Sequence, residues 1–198
     1  MATVEQLESV YATMRPLVAA VGPDQWSAPT PCGDWDVRAL LAHVVGGNRV
    51  FAAARRGASL EEARQQLAGD PLGPDPVAAY GQAVEAVAAA FREPGALERP
   101  MTVPFGTVPG DVALHLRIVE ALVHGWDLAT ATGRTVSYPD DVVEQEIAFS
   151  TEFLPRVPPD RQPFGPSRPV AAGAPPLDRL VALLGRDVRD ARAVRQVR

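Results

Sequence analysis

The chain has 198 residues, of which 46% are hydrophobic and 22% are charged, proportions that are ordinary for one water-soluble globular domain. Its formal net charge of -5 disfavours nucleic-acid and anionic-membrane partners. All 19 basic residues are arginine, which excludes any mechanism that needs a Schiff-base or P-loop lysine.

The first residues include Glu5 and no basic cluster, and no apolar run approaches the roughly 20 residues that span a bilayer. We therefore expect neither a secretory signal nor a membrane anchor. The single cysteine, Cys32, excludes an internal disulfide framework and fits a reducing compartment. These features together predict a cytoplasmic protein.

Apolar residues at three-and-four spacing predict four long helices, over residues 4–21, 36–56, 75–92 and 109–132. Asp34 or Asp36 is placed to cap the second of these helices, and Gly133 to end the fourth. Shorter helices are expected over residues 59–68, 140–153 and 177–184. Four long helices joined by short links indicate an all-α four-helix bundle with an extra C-terminal helix.

Two stretches break the helical pattern. Residues 94–108 contain a segment, 101–105, that favours extended backbone. Residues 157–176 are rich in proline and irregular, and we expect them to wrap over the surface. We therefore divide the chain into a bundle over 1–156 and a Pro-rich tail with a short helix over 157–198, both within one domain.

The residues with the clearest chemical meaning lie on the fourth long helix. Glu120 and His124 stand one turn apart, and Asp127 falls on the same inward-facing side. A buried carboxylate and imidazole need a partner, and a divalent metal ion would satisfy both. His43, at the edge of the apolar stripe of the second helix, is the better third ligand because His115 points away from Glu120.

Other interpretations of these residues stay open on spacing alone. Glu120 and His124 are also compatible with an exposed ion pair or with a core histidine bonded to a carboxylate. Asp127 is expected to bond the far nitrogen of a ligand histidine, or else to be a simple polar residue near the helix end. Cys32 is expected to be a small buried loop residue, with a reactive thiol or an additional ligand as the alternative.

Three segments resemble one protein family. Residues 29–48 (PTPCGDWDVRALLAHVVGGN) and 120–133 (EALVHGWDLATATG) are similar to the two metal-binding segments of DinB-like proteins related to mycothiol-dependent maleylpyruvate isomerase. The tail resembles that of an actinobacterial single-domain subgroup, in the segments FGP (164–166), APPLDRL (174–180) and LGRD (184–187). The likeness covers most of the chain, and the segments occur in the family's order.

This resemblance implies a DinB-like four-helix bundle with a metal site formed by His43, Glu120 and His124. Two histidines and a carboxylate suit Zn, which we expect, and also Ni or Fe. The resemblance also implies a thiol of the mycothiol type as cosubstrate. In the isomerase a separate C-terminal domain follows the bundle, whereas here the Pro-rich tail follows it.

The function predicted from these observations is a metal-dependent S-transferase or isomerase that joins a small thiol to a small electrophile. Arg49 or Arg117 is a candidate for binding a substrate carboxylate. The alternatives are a metal-dependent hydrolase on the same site and a non-catalytic metal-binding protein. A monomer and a homodimer are equally compatible with the sequence.

Overall fold

The computed structural model describes residues 1–33, 35–65, 67–103 and 106–188. Over these ranges every regular element is a helix except for one two-stranded hairpin, which confirms the predicted all-α fold class. The seven α-helices are α1 (Val4–Ala19), α2 (Val37–Arg55), α3 (Leu60–Gln65), α4 (Pro76–Arg92), α5 (Gly110–Ala131), α6 (Asp140–Phe153) and α7 (Pro176–Leu183). Single 3-10 turns lie at Pro23–Gln25, Leu154–Arg156 and Pro159–Arg161.

Side-chain caps explain where α2 and α4 begin. The Asp36 carboxylate accepts the Ala39 N–H at 2.8 Å and starts α2, while Asp34, the other predicted cap, lies outside the described residues. Asp75 caps α4 in the same way. α1 runs through Pro16 and ends at Ala19, two residues before the predicted end.

The bundle consists of α1, α2, α4 and α5. Helix α1 packs against α4 and α5, and α2 packs against the same two helices, so each helix contributes an apolar stripe to one continuous core. Helix α5 is buried nearly all round because α6 and α7 cover the side that faces away from the bundle. This central helix carries most of the candidate site.

Segment 94–108 contains the extended stretch that the sequence predicted. Strands β1 (Met101–Val103) and β2 (Gly106–Val108) pair antiparallel, with Met101 opposite Val108. Strand β1 contacts α2. Residues 104 and 105, which belonged to the predicted extended stretch, lie outside the described residues.

The tail consists of an exposed irregular part and a helix that is buried on one face. Its irregular part is mostly exposed, but Leu180, Val181 and Ala182 of α7 are fully buried in the main core. Surface wrapping was expected of residues 157–176 alone; the amphipathic face of the short helix α7 packs on α5 and α6. Residues 189–198 of the predicted tail lie outside the described part of the chain.

Within the described ranges, none of the helices combines the length and the apolar character that a bilayer-crossing segment requires.

Candidate metal centre

A tight loop before α2 fixes one edge of the site. The Thr30 N–H donates to the Trp35 carbonyl and the Val37 N–H to the Ala28 carbonyl, each at 3.0 Å. The Thr30 hydroxyl donates to the same Trp35 carbonyl at 2.8 Å. This loop holds the Trp35 indole against the His43 ring, with the two ring centroids 4.6 Å apart. The indole therefore limits how far the His43 ring can turn.

The three predicted ligands lie together between α2 and α5. Glu120 Oε2 is 2.9 Å from His43 Nε2 and 3.2 Å from His124 Nε2. The two imidazole centroids are 5.0 Å apart. Metal bonds of about 2.0–2.2 Å that meet near a right angle separate two donor atoms by about 3 Å. The spacing around Glu120 therefore suits one shared ion, although hydrogen bonding alone produces similar distances.

Exposure differs among the three side chains. The His43 side chain is 38% exposed, Glu120 is 15% exposed and His124 is 3% exposed. The group thus has one closed side, at His124, and one side that opens to solvent, at His43. The three donor atoms are therefore accessible from the His43 side.

The charges of the site are strongly coupled. Burial by itself raises the pKa of Glu120, but hydrogen bonds with His124 and His43 outweigh it and hold that pKa well below its usual range. Burial lowers the pKa of His124, yet its hydrogen bonds to Asp127 and Glu120 raise it to about 9. Without an ion, the His124 ring is therefore protonated on both nitrogens at neutral pH and lies between the carboxylates of Glu120 and Asp127. A bound cation would take the place of one of these protons.

Asp127 connects His124 to the tail. Its Oδ2 lies 3.1 Å from His124 Nδ1, which is the contact expected of it from the sequence. Arg186 donates to both of its carboxylate oxygens, through Nε at 3.2 Å and through Nη2 at 2.9 Å. Asp127 is completely buried and Arg186 nearly so. This two-point contact fixes the carboxylate, which in turn fixes the orientation of the His124 ring.

A second buried arginine lies beside Glu120. Arg117 Nη1 is 3.9 Å from Glu120 Oε2, and the guanidinium carbon is 4.9 Å from the centre of the Phe51 ring. Its Nε and Nη2 donate to Asn48 Oδ1 at 3.1 and 2.8 Å, and Nη2 also donates to the Tyr11 hydroxyl at 3.3 Å. Three helices, α1, α2 and α5, therefore hold this guanidinium in place.

The three predicted ligands lie at the inner end of a cavity of about 840 Å³. One side of the cavity is formed by the loop that contains Trp35 and by Val50 and Phe51 of α2. The tail forms a further part of the lining, through residues 163–166 and 184–187. The Pro-rich tail thus supplies a wall of the site.

A backbone contact sets the position of that wall. Gly185 has φ +92° and lies so close to Gly165 that a Cβ on Gly185 would be 3.0 Å from the Gly165 Cα and carbonyl carbon. Only glycine combines this left-handed conformation with so close an approach. The two tail segments therefore meet backbone to backbone at the cavity.

Cys32 lines the same cavity and is half-buried. Burial raises the pKa of its thiol to about 11, even though Arg186 donates to its Sγ at 3.1 Å. Cys32, His124 and Asp127 form a second group with metal-ligand spacing, but the Arg186 cation already contacts both the thiol and the carboxylate. This position therefore suits a protonated thiol better than a second ion.

His115 pairs with a different carboxylate. Its Nδ1 lies 2.9 and 3.0 Å from the two carboxylate oxygens of Glu146, and its ring stacks on Phe149 at 4.4 Å. It points away from Glu120, as the sequence indicated. Arg49 also lies elsewhere, in a small depression on the far side of α2, so it is not placed to bind a substrate at Glu120.

Several side chains around the ligands were not predicted from the sequence. Asn48, Phe164 and Arg186 support the site or line its cavity, and Trp35 packs on His43. All four fall within segments that carry the family resemblance. Nothing in their spacing, however, showed which of them would face Glu120.

Comparison with known proteins agrees with the family resemblance of the sequence segments. The family model described as "Mycothiol maleylpyruvate isomerase N-terminal domain" matches residues 7–129, which include all three predicted ligands. Two uncharacterized proteins, from two strains of Mycobacterium tuberculosis, are each 37% identical over 175 residues, covering 87% of this chain and 91% of theirs.

Solved structures share the fold. The crystal structure of the mycothiol-dependent maleylpyruvate isomerase has a TM-score of 0.58 at 20% identity, and that of its histidine-to-alanine mutant has 0.60 at 17%. Each comparison covers 79% of this chain and 75% of the other. At this identity the likeness extends to the fold alone.

Proposed function

Because the chain belongs to the mycothiol maleylpyruvate isomerase N-terminal domain family, as its sequence segments predicted, we propose that it is a divalent-metal enzyme with a low-molecular-weight thiol of the mycothiol type as cosubstrate. Its reaction is an S-transfer to, or an isomerisation of, a small electrophile. The observation that carries the proposal is the convergence of His43, Glu120 and His124, from two helices, at the inner end of one cavity.

The donor set fits a divalent ion of the first transition row. Two imidazole nitrogens and one carboxylate oxygen suit Zn, which we expect, and also Ni or Fe. The hydrogen bond between His124 Nδ1 and Asp127 directs the Nε2 lone pair of that ring toward Glu120, where a cation would lie. Three protein donors leave a further coordination position open, an arrangement typical of catalytic zinc.

Each group then has a distinct task. A bound divalent ion would lower the pKa of a thiol that enters its open position. Asp127, fixed by Arg186, keeps His124 in the correct tautomer and orientation. Trp35 and Phe51 on the cavity wall exclude water from around the sulfur nucleophile. A cytoplasmic location belongs to the same proposal, because free thiols persist in a reducing compartment.

Metal analysis tests the first half of the proposal. We expect wild-type protein purified without a nickel column to contain about one divalent ion per chain. His43→Ala should lose most of it, because one of three donors is removed. His115→Ala is the matched control, since it removes the histidine that pairs with Glu146, and it should keep the ion. Equal metal content in wild type and His43→Ala would rule out this site.

Turnover tests the second half. Electrophiles of several classes are incubated with the metal-loaded protein, with and without a mycothiol-type thiol, and the loss of electrophile is measured. We expect turnover that requires the thiol and falls at least about a hundredfold in His43→Ala. Turnover without any thiol would instead indicate a metal-dependent hydrolase. Metal binding with no turnover of any class would indicate a binding protein.

A further inference from the structure

The two buried arginines beside the predicted ligands are held by partners of different charge. Arg186 donates to both oxygens of the Asp127 carboxylate, so a full negative charge offsets its own. Arg117, which is 3% exposed, donates instead to Asn48 Oδ1, through Nε at 3.1 Å and through Nη2 at 2.8 Å, and to the Tyr11 hydroxyl at 3.3 Å. An amide and a hydroxyl are neutral. The hydrogen-bond partners of Arg117 therefore fix the guanidinium without offsetting its charge.

Asn48 occupies a position where aspartate would form stronger hydrogen bonds. Its Oδ1 accepts from the Arg117 guanidinium and from the Tyr11 hydroxyl, and a carboxylate oxygen accepts such bonds more strongly than an amide oxygen does. Its Nδ2 is buried and has no hydrogen-bond partner among the described residues, which costs free energy. An amide here thus gives weaker bonds and an unsatisfied donor, and it leaves the charge of Arg117 uncompensated.

The carboxylate that Arg117 faces is a predicted metal ligand. Arg117 Nη1 forms an ion pair with Glu120 Oε2 at 3.9 Å. The same oxygen lies 2.9 Å from His43 Nε2 and 3.2 Å from His124 Nε2. Glu120 is only 15% exposed, so solvent screens these charges weakly. A divalent ion between the three ligands would therefore share the negative charge of Glu120 with the guanidinium.

The guanidinium is packed so that it cannot turn away from Glu120. Its central carbon lies 4.9 Å from the centre of the Phe51 ring. On another side α2 approaches closely, because a Cβ on Gly47 would lie 3.2 Å from Nη1. An arginine side chain also keeps its proton when it is buried. A permanent positive charge is thus fixed beside the carboxylate.

Building on the proposed function, we infer that Arg117 is a positioning residue that acts through Glu120: its uncompensated charge weakens the binding of the divalent ion and strengthens the binding of an anionic ligand to that ion. The first effect follows because like charges repel, and the second because the site keeps more net positive charge for an entering thiolate. Asn48 and Tyr11 hold the guanidinium in place for this role. A network that only supported the fold would have a different signature, since damage to it would weaken both kinds of binding.

Asn48→Asp tests the inference by adding one negative charge against Arg117 while keeping the shape of the side chain and the accepting oxygen. We expect zinc to bind about tenfold more tightly and azide to bind the cobalt-loaded protein about tenfold more weakly than in wild type. Competition with a fluorescent chelator measures the zinc affinity. Visible absorption of the cobalt-loaded protein, in which cobalt replaces the spectroscopically silent zinc, measures the azide affinity.

Two further variants complete the test. Arg117→Met removes the charge itself and should shift both affinities in the same directions as Asn48→Asp, so either variant gives an answer if the other fails to fold. Gln82→Glu is the matched control, because it makes the same amide-to-carboxylate exchange on the exposed face of α4, outside the cavity. It should leave both affinities nearly unchanged. The inference is wrong unless zinc and azide affinities move in opposite directions, or if Gln82→Glu shifts them equally.

The same measurements separate this inference from the proposed function. If wild-type protein binds no zinc, the proposed function is refuted and the role of Arg117 falls with it. If wild type binds zinc but the two affinities do not move in opposite directions in the variants, only the role of Arg117 is refuted. If they do so in a protein that turns over no electrophile, the role of Arg117 stands and the enzymatic half of the proposed function is lost.

Discussion

Two histidine–carboxylate clusters share helix α5, and they differ in almost every respect that matters for metal binding. His124 meets Glu120 and His43 at the inner end of a cavity that opens on one side. Among the described residues, the hydrogen-bond partner of His115 is Glu146, and Phe149 lies flat against its ring. Of the two clusters, only the first has three donors with metal-ligand spacing among the described residues.

The comparison shows that a buried histidine beside a glutamate is not in itself a metal signal. In the His115 cluster both oxygens of one carboxylate face one ring nitrogen, so the two groups satisfy each other. In the His124 cluster two imidazoles compete for one carboxylate oxygen, and the far nitrogen of His124 is bonded to Asp127. A cation would interact favourably with both imidazoles and the carboxylate of the His124 cluster, whereas the His115 cluster offers it too few donors.

The largest expected effect comes from removing the histidine of each cluster, which should cost stability in one cluster and metal binding in the other. His115→Ala leaves the Glu146 carboxylate, whose side chain is 0% exposed, without its histidine. Breaking such a buried pair should lower the free energy of unfolding by about 3 kcal/mol, with metal content unchanged. His124→Ala should instead abolish metal binding. Urea unfolding and metal analysis of the same samples check both, and loss of the ion in His115→Ala would erase the distinction.

A smaller effect is expected when the carboxylates lose only their charge. Asp127→Asn keeps the size of the side chain but weakens its hold on His124 Nδ1 and on Arg186. Its metal affinity should fall about 10- to 100-fold, the usual consequence of altering a group that orients a metal ligand. Glu146→Gln is the counterpart in the other cluster, and its affinity should match wild type. Competition with a fluorescent zinc chelator measures both.

The third effect, about tenfold in metal affinity per pH unit, concerns protons. Metal must displace the proton that His124 holds with a pKa of about 9, so affinity should rise about tenfold per pH unit up to about pH 9. The stability of the metal-free protein should change with pH in the opposite sense. A pKa raised from 6.5 to about 9 stabilises the fold below about pH 6.5, and this stabilisation is lost as pH rises through 9.

The trend in metal affinity is measured by titration with the chelator at fixed ionic strength. The trend in stability is measured by unfolding curves of the metal-free protein. His115→Ala should keep the same slope of affinity against pH. A flat affinity between pH 6 and 9 would mean that His124 releases no proton to solvent when the ion binds.

The helices and the Glu120–His124 pair were accessible from sequence because their signals are local. Apolar spacing and the Asp36 cap define α2 to within one residue of the prediction, and one helical turn separates Glu120 from His124. His43 was selected from its place on the apolar stripe of α2. The role of these residues in metal binding stays a prediction.

The rest of the site depends on contacts between distant parts of the chain. Arg186 reaches Asp127 across 59 positions of sequence, and Phe164 enters the cavity wall from an irregular stretch that has no periodicity to orient it. The pairing of His115 with Glu146 depends likewise on how α6 docks on α5. Spacing within one helix carries no information about such contacts.

The close approach of Gly165 and Gly185 separates the part of the cavity wall that belongs to the tail from the helices that carry the donor atoms. The donor atoms belong to α2 and α5, whereas much of the enclosing wall belongs to a segment anchored by two residues that have no side chains. Exchanges at neighbouring positions such as Pro163, Phe164 or Pro166 alter the shape of the chamber and leave the donors untouched. Variation in this part of the tail would therefore change which small molecules fit the cavity, while α2 and α5 keep His43, Glu120 and His124 in place.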